Sequence, residues 1–406
     1  ERKNVQLLNF TPTMRAEGYT TAALDWQDSL TGDCVVRVGA DGTIDNAGVA
    51  VTTTSHIGYS MIKDTNGGLY LGGAYLDLNG VANADNIAYR AAGGTTWTAL
   101  APAGLNNTVL TMVEAPDGKI YMGGAFTGAG GDASADRIAV WDGTAFSSIT
   151  PSGGADEIIR SLAFSRVGHL YAGGSQTTIN GVTANYLARW DGINWNAVVG
   201  ATALNAAVYK VIPDPWGNGV IVAGAFTDAG GTATKDYLLR VAISGTTYTY
   251  ELIGASAPNG PVYGLAYDDQ SGLLYVHGAF TTIGGVNANY VAAYDGTNWK
   301  TLGTGFSVAA GAPSEIIAPG NGSVYFGINS GAAITAGGVY LADAFAEWNG
   351  NQFTSPKFDM SAVSFVGRSA FYDNATKDVY WLGTSQSATV EGRTTIANAD
   401  YSDTYP

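Results

Sequence analysis

The run Ile120-Tyr-Met-Gly-Gly-Ala-Phe126 recurs along the chain, and that recurrence constrains the fold more than any other feature. It returns as Leu69-Tyr-Leu-Gly-Gly-Ala-Tyr75, Leu170-Tyr-Ala-Gly-Gly-Ser-Gln176, Val220-Ile-Val-Ala-Gly-Ala-Phe226 and Leu274-Tyr-Val-His-Gly-Ala-Phe280. Weaker copies are Val324-Tyr-Phe-Gly-Ile-Asn-Ser330 and Val379-Tyr-Trp-Leu-Gly-Thr-Ser385. The first six copies end at 75, 126, 176, 226, 280 and 330, so the steps are 51, 50, 50, 54 and 50 residues. We number the seven copies repeats 1 to 7. A period in this range marks a solenoid or a propeller.

Each repeat has the same four parts. An apolar run, such as Val109–Val113, is followed by a tight turn, Pro116-Asp-Gly118, and then by the Gly-Gly strand. A polar loop leads to a third run, Tyr186-Leu-Ala-Arg-Trp190 or Tyr290-Val-Ala-Ala-Tyr294. An Asp-Gly turn (Asp142-Gly143, Asp191-Gly192, Asp295-Gly296) leads to a fourth run marked by Phe146, Trp195 or Trp299. Asp-Gly between aromatic and β-branched runs is a strong hairpin signal. The reading is all-β: a seven-bladed β-propeller of four-stranded antiparallel blades.

A propeller must close, and the termini indicate how. The seventh copy ends soon after its second strand, while Cys34-Val-Val-Arg-Val38, a Gly39-Ala-Asp-Gly42 turn and Thr43-Ile44 look like a third and fourth strand with no partner. Val38 precedes Tyr89 by 51 residues, one repeat. The N-terminal strands are therefore expected to complete the last blade, which removes its free edges. Residues 34–406 then form one propeller domain, and residues 1–33 an arm or strap. Asn4–Phe10 is apolar enough to lie along the propeller or to dock it on a larger assembly by strand addition.

Composition agrees. Gly occupies 56 of 406 positions, while charged residues are only 13%. The repeat assigns much of the Gly to two places per unit: the inner-strand pair, where backbones crowd, and a loop pair such as Gly130-Gly131 that turns the chain. Recurring Trp141, Trp190 and Trp348 are expected between blades. The net charge of −15 argues against nucleic acid and anionic lipid as partners. No apolar run reaches the length of a transmembrane helix, so no membrane insertion is expected. Cys34 is the single cysteine, read as a small buried hydrophobe.

The consensus, carried for example by Gly173, Gly174, Tyr186, Trp190, Asp191, Gly192 and Trp195, resembles the repeats of secreted and phage-encoded propellers. It is similar to Rax2-like cortical marker repeats and, more distantly, to Kelch and galactose-oxidase-type propellers. The resemblance covers residues 56 to 303 well and the last two copies poorly. It implies the fold and an exposed, mostly non-catalytic surface role: extracellular, cell-surface or virion.

Chemistry is sparse. His56, His169 and His277 lack ligand-like spacing, so neither a metal site nor a catalytic residue is assigned. The loops after the second strands carry Asp85, Asp136, Asn185, Asp236 and Asn289, whose oxygens suit Ca²⁺ or sugar hydroxyls. The same side chains also bond their own backbone in turns, which is the favoured reading, and otherwise no cofactor is expected. Residues that break the repeat are stronger ligand-binding candidates, because packing does not demand them. They include Trp216 in Pro213-Asp-Pro-Trp-Gly217, and Glu315, Asp343, Glu347, Glu391 and Arg393 in the irregular copies.

The expected function is a non-catalytic binding or structural propeller of a surface, phage tail or virion, or an adhesin. Its partner is then another protein of a larger assembly or a surface glycan. The alternative is a polysaccharide hydrolase or lyase, which requires Glu, Asp, Tyr or Arg converging at the axis.

Overall fold

The computed structural model describes residues 6–7, 24–29, 35–38, 44–45, 56–100, 104–151, 153–309, 315–328, 334–341, 345–354, 365–385 and 389–394. Repeats 2 to 6 each fold into a four-stranded antiparallel sheet with strands in chain order from the axis outward. In repeat 3 these are Ile159–Phe164, Leu170–Gly174, Leu187–Trp190 and Trp195–Ala197. The innermost strands pack on one another in sequence, and the last, Phe365–Asp373, packs back on the first, Ile57–Lys63. The architecture is a β-propeller.

The N-terminus completes the blade of repeat 7. Val35–Val38 runs antiparallel to Asp378–Ser385, and Ile44–Asp45 pairs on Val35–Val38. Arg37 faces Tyr380 as Tyr89 faces Tyr70, so the counterpart of Tyr89 is Arg37 rather than Val38. Leu24–Ser29 pairs with Thr389–Thr394, and Gln6–Leu7 with Leu24–Asp25, tying this part of the arm to the chain's own end. Cys34 and Asp343 lie outside the described residues.

One expectation needs correcting. Among the described residues the four-stranded blades number six, not seven. Repeat 1 stops at three strands, Ile57–Lys63, Leu69–Ala74 and Ile87–Arg90, with one isolated bridge between Tyr89 and Thr98 in place of a fourth. The turn differs as well. In repeats 2, 3, 5 and 6 the Oδ1 of Asp142, Asp191, Asp295 or Asn349 accepts amides two and three residues on, at 2.7–3.1 Å. These bonds, with the Thr144 hydroxyl foremost, hold the Asp142 carboxyl down to about 2. Repeat 1 has Ala91-Ala-Gly-Gly-Thr-Thr96 there, with no side chain to pin the turn.

The two inner-strand glycines have separate tasks. A Cβ on Gly173 would lie 2.5 Å from Cγ1 of Val208, so the first glycine admits the next blade's β-branched side chain. A Cβ on Gly174 would press into the carbonyl oxygen of Ile158 in its own blade, as it would at Gly124, Gly224 and Gly278 against Thr108, Ala207 and Pro261.

The core is a set of wedges between neighbouring blades rather than one centre. Trp141 packs with Tyr70 and Val109 between repeats 1 and 2, and Trp348 with Tyr275 and Val291 between repeats 5 and 6. His277 replaces the first glycine in repeat 5 and is fully buried with neither ring nitrogen partnered. Its cross-strand neighbour is Gly264, whose missing side chain makes the room. Burial lowers the His277 pKa to about 3. The unfolded chain, with a pKa near ~6.5, therefore takes up the proton first, and stability present above that value falls as pH drops from ~6.5 toward ~3. His277→Leu, which copies Leu382 at the same position of repeat 7, is expected to flatten that acid loss in denaturant titrations at pH 7 and 4. An unchanged pH dependence would assign the acid loss elsewhere.

Candidate functional site

Among the described residues, the innermost strands of repeats 1 to 5 and of repeat 7 carry a β-bulge at the same place. The skipped residues are Tyr59, Leu110, Arg160, Tyr209, Tyr263 and Arg368. A bulge turns one side chain out of the alternating pattern. Here all six line one axial cavity of about 700 Å³. Each is half-buried, with surface left to meet a ligand.

The next residue inward is a hydroxyl in much of the ring: Ser60, Thr111, Ser161 and Ser369. Thr111 Oγ1 accepts the amide of Leu162 at 3.2 Å, and Ser161 Oγ that of Val211 at 3.0 Å, stitching each blade to the next. Repeats 4 to 6 place Lys210, Gly264 and Glu315 at this position. Lys210 pairs with Glu315 two blades away. This ion pair floors the side of the channel where Tyr209 and Tyr263 meet edge to face, with ring centroids 5.5 Å apart. Burial, then the adjacent Tyr209, raises the Tyr263 phenol above its ordinary value, so it acts as a neutral donor. The Arg160 guanidinium lies 5.8 Å from the Tyr209 ring centroid, and its Nε donates to Ser175 Oγ at 3.3 Å.

The far mouth is lined by Arg166, Pro215, Tyr267 and Asp269. Trp216 stands near it, 37% exposed, and meets Tyr267 and Tyr294 edge to face at 5.9 and 5.7 Å. It is held by the Asp214 carboxylate, which accepts its amide at 2.9 Å and pairs with Arg240 at 2.6 Å.

The loop residues sit elsewhere. Asp85, Asp136 and Asp236 each accept the amide of the residue eight positions earlier, Asp77, Gly128 or Asp228, at 2.7–2.8 Å. Asn289 donates to the Thr304 carbonyl at 2.9 Å, and Asn185 is half-buried at the position matching Asp136. Among the described residues no three His, Cys, Asp or Glu side chains are grouped to hold a metal. Glu391 and Arg393 lie on the strand paired with Leu24–Ser29, and their side chains are outside the described residues. Of the residues singled out from sequence whose side chains are described, Glu315 alone lies in the channel.

Sequence reading also missed a clasp before the inner strands. Asn106, Asn205 and Asn259 each exchange bonds with Thr127, Thr227 and Thr281 just past the Gly-Gly strand. Asp156 instead accepts both the amide and the hydroxyl of Thr177. The signal was legible: an Asn or Asp three residues before the inner strands of repeats 2 to 5, and a Thr at a spacing of 21 or 22 residues.

Comparison with known proteins bears on the fold alone. No family model and no curated protein matches the chain. Among solved structures it is similar to the extracellular domain of the putative hybrid two component system BT4673 from B. thetaiotaomicron, at 14% identity and a TM-score of 0.53. That alignment covers 86% of this chain and 39% of the other. A second structure of that extracellular domain, described as a putative one component system, matches at 14% identity and TM-score 0.53 over 84% and 39%. The chain thus spans about two-fifths of the length of these neighbours. Among the described residues no helix is long and apolar enough to cross a membrane.

Proposed function

We propose that this protein is a non-catalytic binding propeller of an exposed surface, whose ligand sits at the axial mouth ringed by the bulged side chains. One observation carries the reading. Where most of each blade repeats, the bulge column varies, reading Tyr, Leu, Arg, Tyr, Tyr, Arg, and faces a cavity. In this reading the three-stranded sheet of repeat 1 is the seventh blade. The setting is an extracellular surface, a virion or a phage tail, and the partner is a protein of that assembly or a surface glycan. The likeness to extracellular domains and the resemblance of the repeats to secreted and phage-encoded propellers support the setting. Residues 1–33 act as an arm apart from the ring.

The enzymatic alternative is favoured by the convergence of Tyr, Arg and Glu315, and opposed by the carboxylates. A glycosidase needs two, about 5 to 9.5 Å apart. The channel offers Glu315, engaged by Lys210, and Asp269. Glu315 is level with Gly264, five strand residues from Asp269, or ~16 Å along the axis at ~3.3 Å per residue. On a glycan array followed by incubation with each bound polysaccharide, retention without new reducing ends or unsaturated products is expected. Steady product release would overturn the non-catalytic reading.

A further inference from the structure

We infer that the axial mouth selects an acidic sugar, a glycan bearing carboxylates, and that Arg160 and Arg368 engage its carboxylates from opposite sides. The inference rests on the binding reading above and names the ligand class. The sign of the channel is the first observation. Its lining carries Arg160, Arg166, Lys210 and Arg368 against Asp269 and Glu315, inside a chain of net charge −15. An internal excess of cations opposed to the overall charge is not a by-product of composition. Low-dielectric walls focus such a field within the cleft, and salt screens the acidic exterior beyond ~8 Å.

The second observation is which cations are already matched. Lys210 pairs with Glu315, and Arg166 lies 3.9 Å from Asp269. Arg160 and Arg368 make no ion pair among the described residues. Arg368 is half-buried and lines the cavity, and its Nε has no hydrogen-bond partner in the protein. Arg160 is set over the Tyr209 ring with one bond to Ser175, so its fork is oriented before a ligand arrives. The two arginines come from repeats 3 and 7, on opposite sides of the mouth.

The third observation is the aromatic lining between them. Tyr209 and Tyr263 on one side and Tyr59 on the other offer flat faces with hydroxyls at their rims. Such faces match the C–H faces of a pyranose ring, while a guanidinium fork matches a carboxylate. An acidic peptide would use the arginines but has no ring to lay on the tyrosines.

The test is titration calorimetry with oligogalacturonate and sialyllactose, with maltohexaose and lactose as neutral counterparts and poly-glutamate as the acidic peptide. At least one acidic sugar is expected to bind, with its neutral counterpart at least about tenfold weaker. Arg160→Gln and Arg368→Gln should each weaken the acidic sugar by about tenfold or more, and Arg160→Lys by less. Thermal unfolding of each variant separates lost binding from lost fold. The unaltered protein supplies an independent check: raising ionic strength from ~0.01 to ~1 M shortens the Debye length from ~30 to ~3 Å and should weaken binding. Equal binding of neutral and acidic sugars overturns the inference and leaves the binding reading standing. So does a preference for poly-glutamate, or insensitivity to both salt and the Gln variants. Failure of every probe overturns the acidic-sugar assignment, and the binding reading then stands or falls on the glycan array.

Discussion

Lys63→Met is expected to destabilise the ring by about 3 kcal/mol, because it strands a buried carboxylate at the point of closure. Lys63 lies on the first inner strand and Asp373 at the end of the last, 310 residues away, and both carboxylate oxygens accept from Nζ at 2.8 Å. Asp373 is only 4% exposed, and a Met keeps most of the Lys63 stem, so the substitution isolates the charge. Burial by itself would raise the Asp373 carboxyl, but the Lys63 ammonium and the amides of Ala375 and Thr376 hold it below the ordinary carboxylate value. The sign follows. A depressed carboxylate stabilises the fold above its unfolded value of ~3.9, and that stabilisation is lost as pH falls through the folded value. Guanidinium unfolding reads the loss, and hydrogen exchange should quicken in Ile57–Lys63 and Phe365–Asp373 before other strands. Lys63→Met with Asp373→Asn should recover most of it, since no buried charge remains. Equal stability of Lys63→Met and the unaltered chain would deny this pair its role in closure.

Gly174→Ala is the second large effect, about 3 kcal/mol, at the upper end of the range for overpacking. Its Cβ would meet the Ile158 carbonyl, which sits just before the inner strand and is held by the Ser175 amide at 2.8 Å, so it cannot swing aside freely. Gly173→Ala meets only the methyl groups of Val208 and Val211, which have some freedom to shift, so about 1 kcal/mol is expected there. The order of the two unfolding midpoints tests the division of labour between the paired glycines. A larger loss at Gly173 would reverse it.

The blades were legible because their causes are local. Gly-Gly permits close approach, and Asp142 or Asp191 pins a hairpin with its own carboxylate. Closure was legible from the orphaned strand Val35–Val38, though its register was read one residue out. The missing fourth strand of repeat 1 had a sign too, the absence of Asp from Ala91–Thr96. The channel was not legible, for a physical reason. A bulge has no residue signature of its own, and its side chain faces the axis only because the register skips there. Repeat-breaking residues were sought in the irregular copies and in the Trp216 turn, whereas five of the six bulged residues lie inside the regular ones. Asp85, Asp136 and Asp236, by contrast, attracted notice by recurring, and they bond loop amides.

The most direct test of a ligand at the axial mouth is Leu110→Trp, measured on the glycan array beside the unaltered protein. Leu110 is the one aliphatic side chain among the bulged residues, so an indole there narrows the mouth without removing a charge or hydrogen bond. Loss of array binding with unchanged thermal unfolding is the predicted result. Full binding retained by Leu110→Trp would contradict it and move the site off the axis.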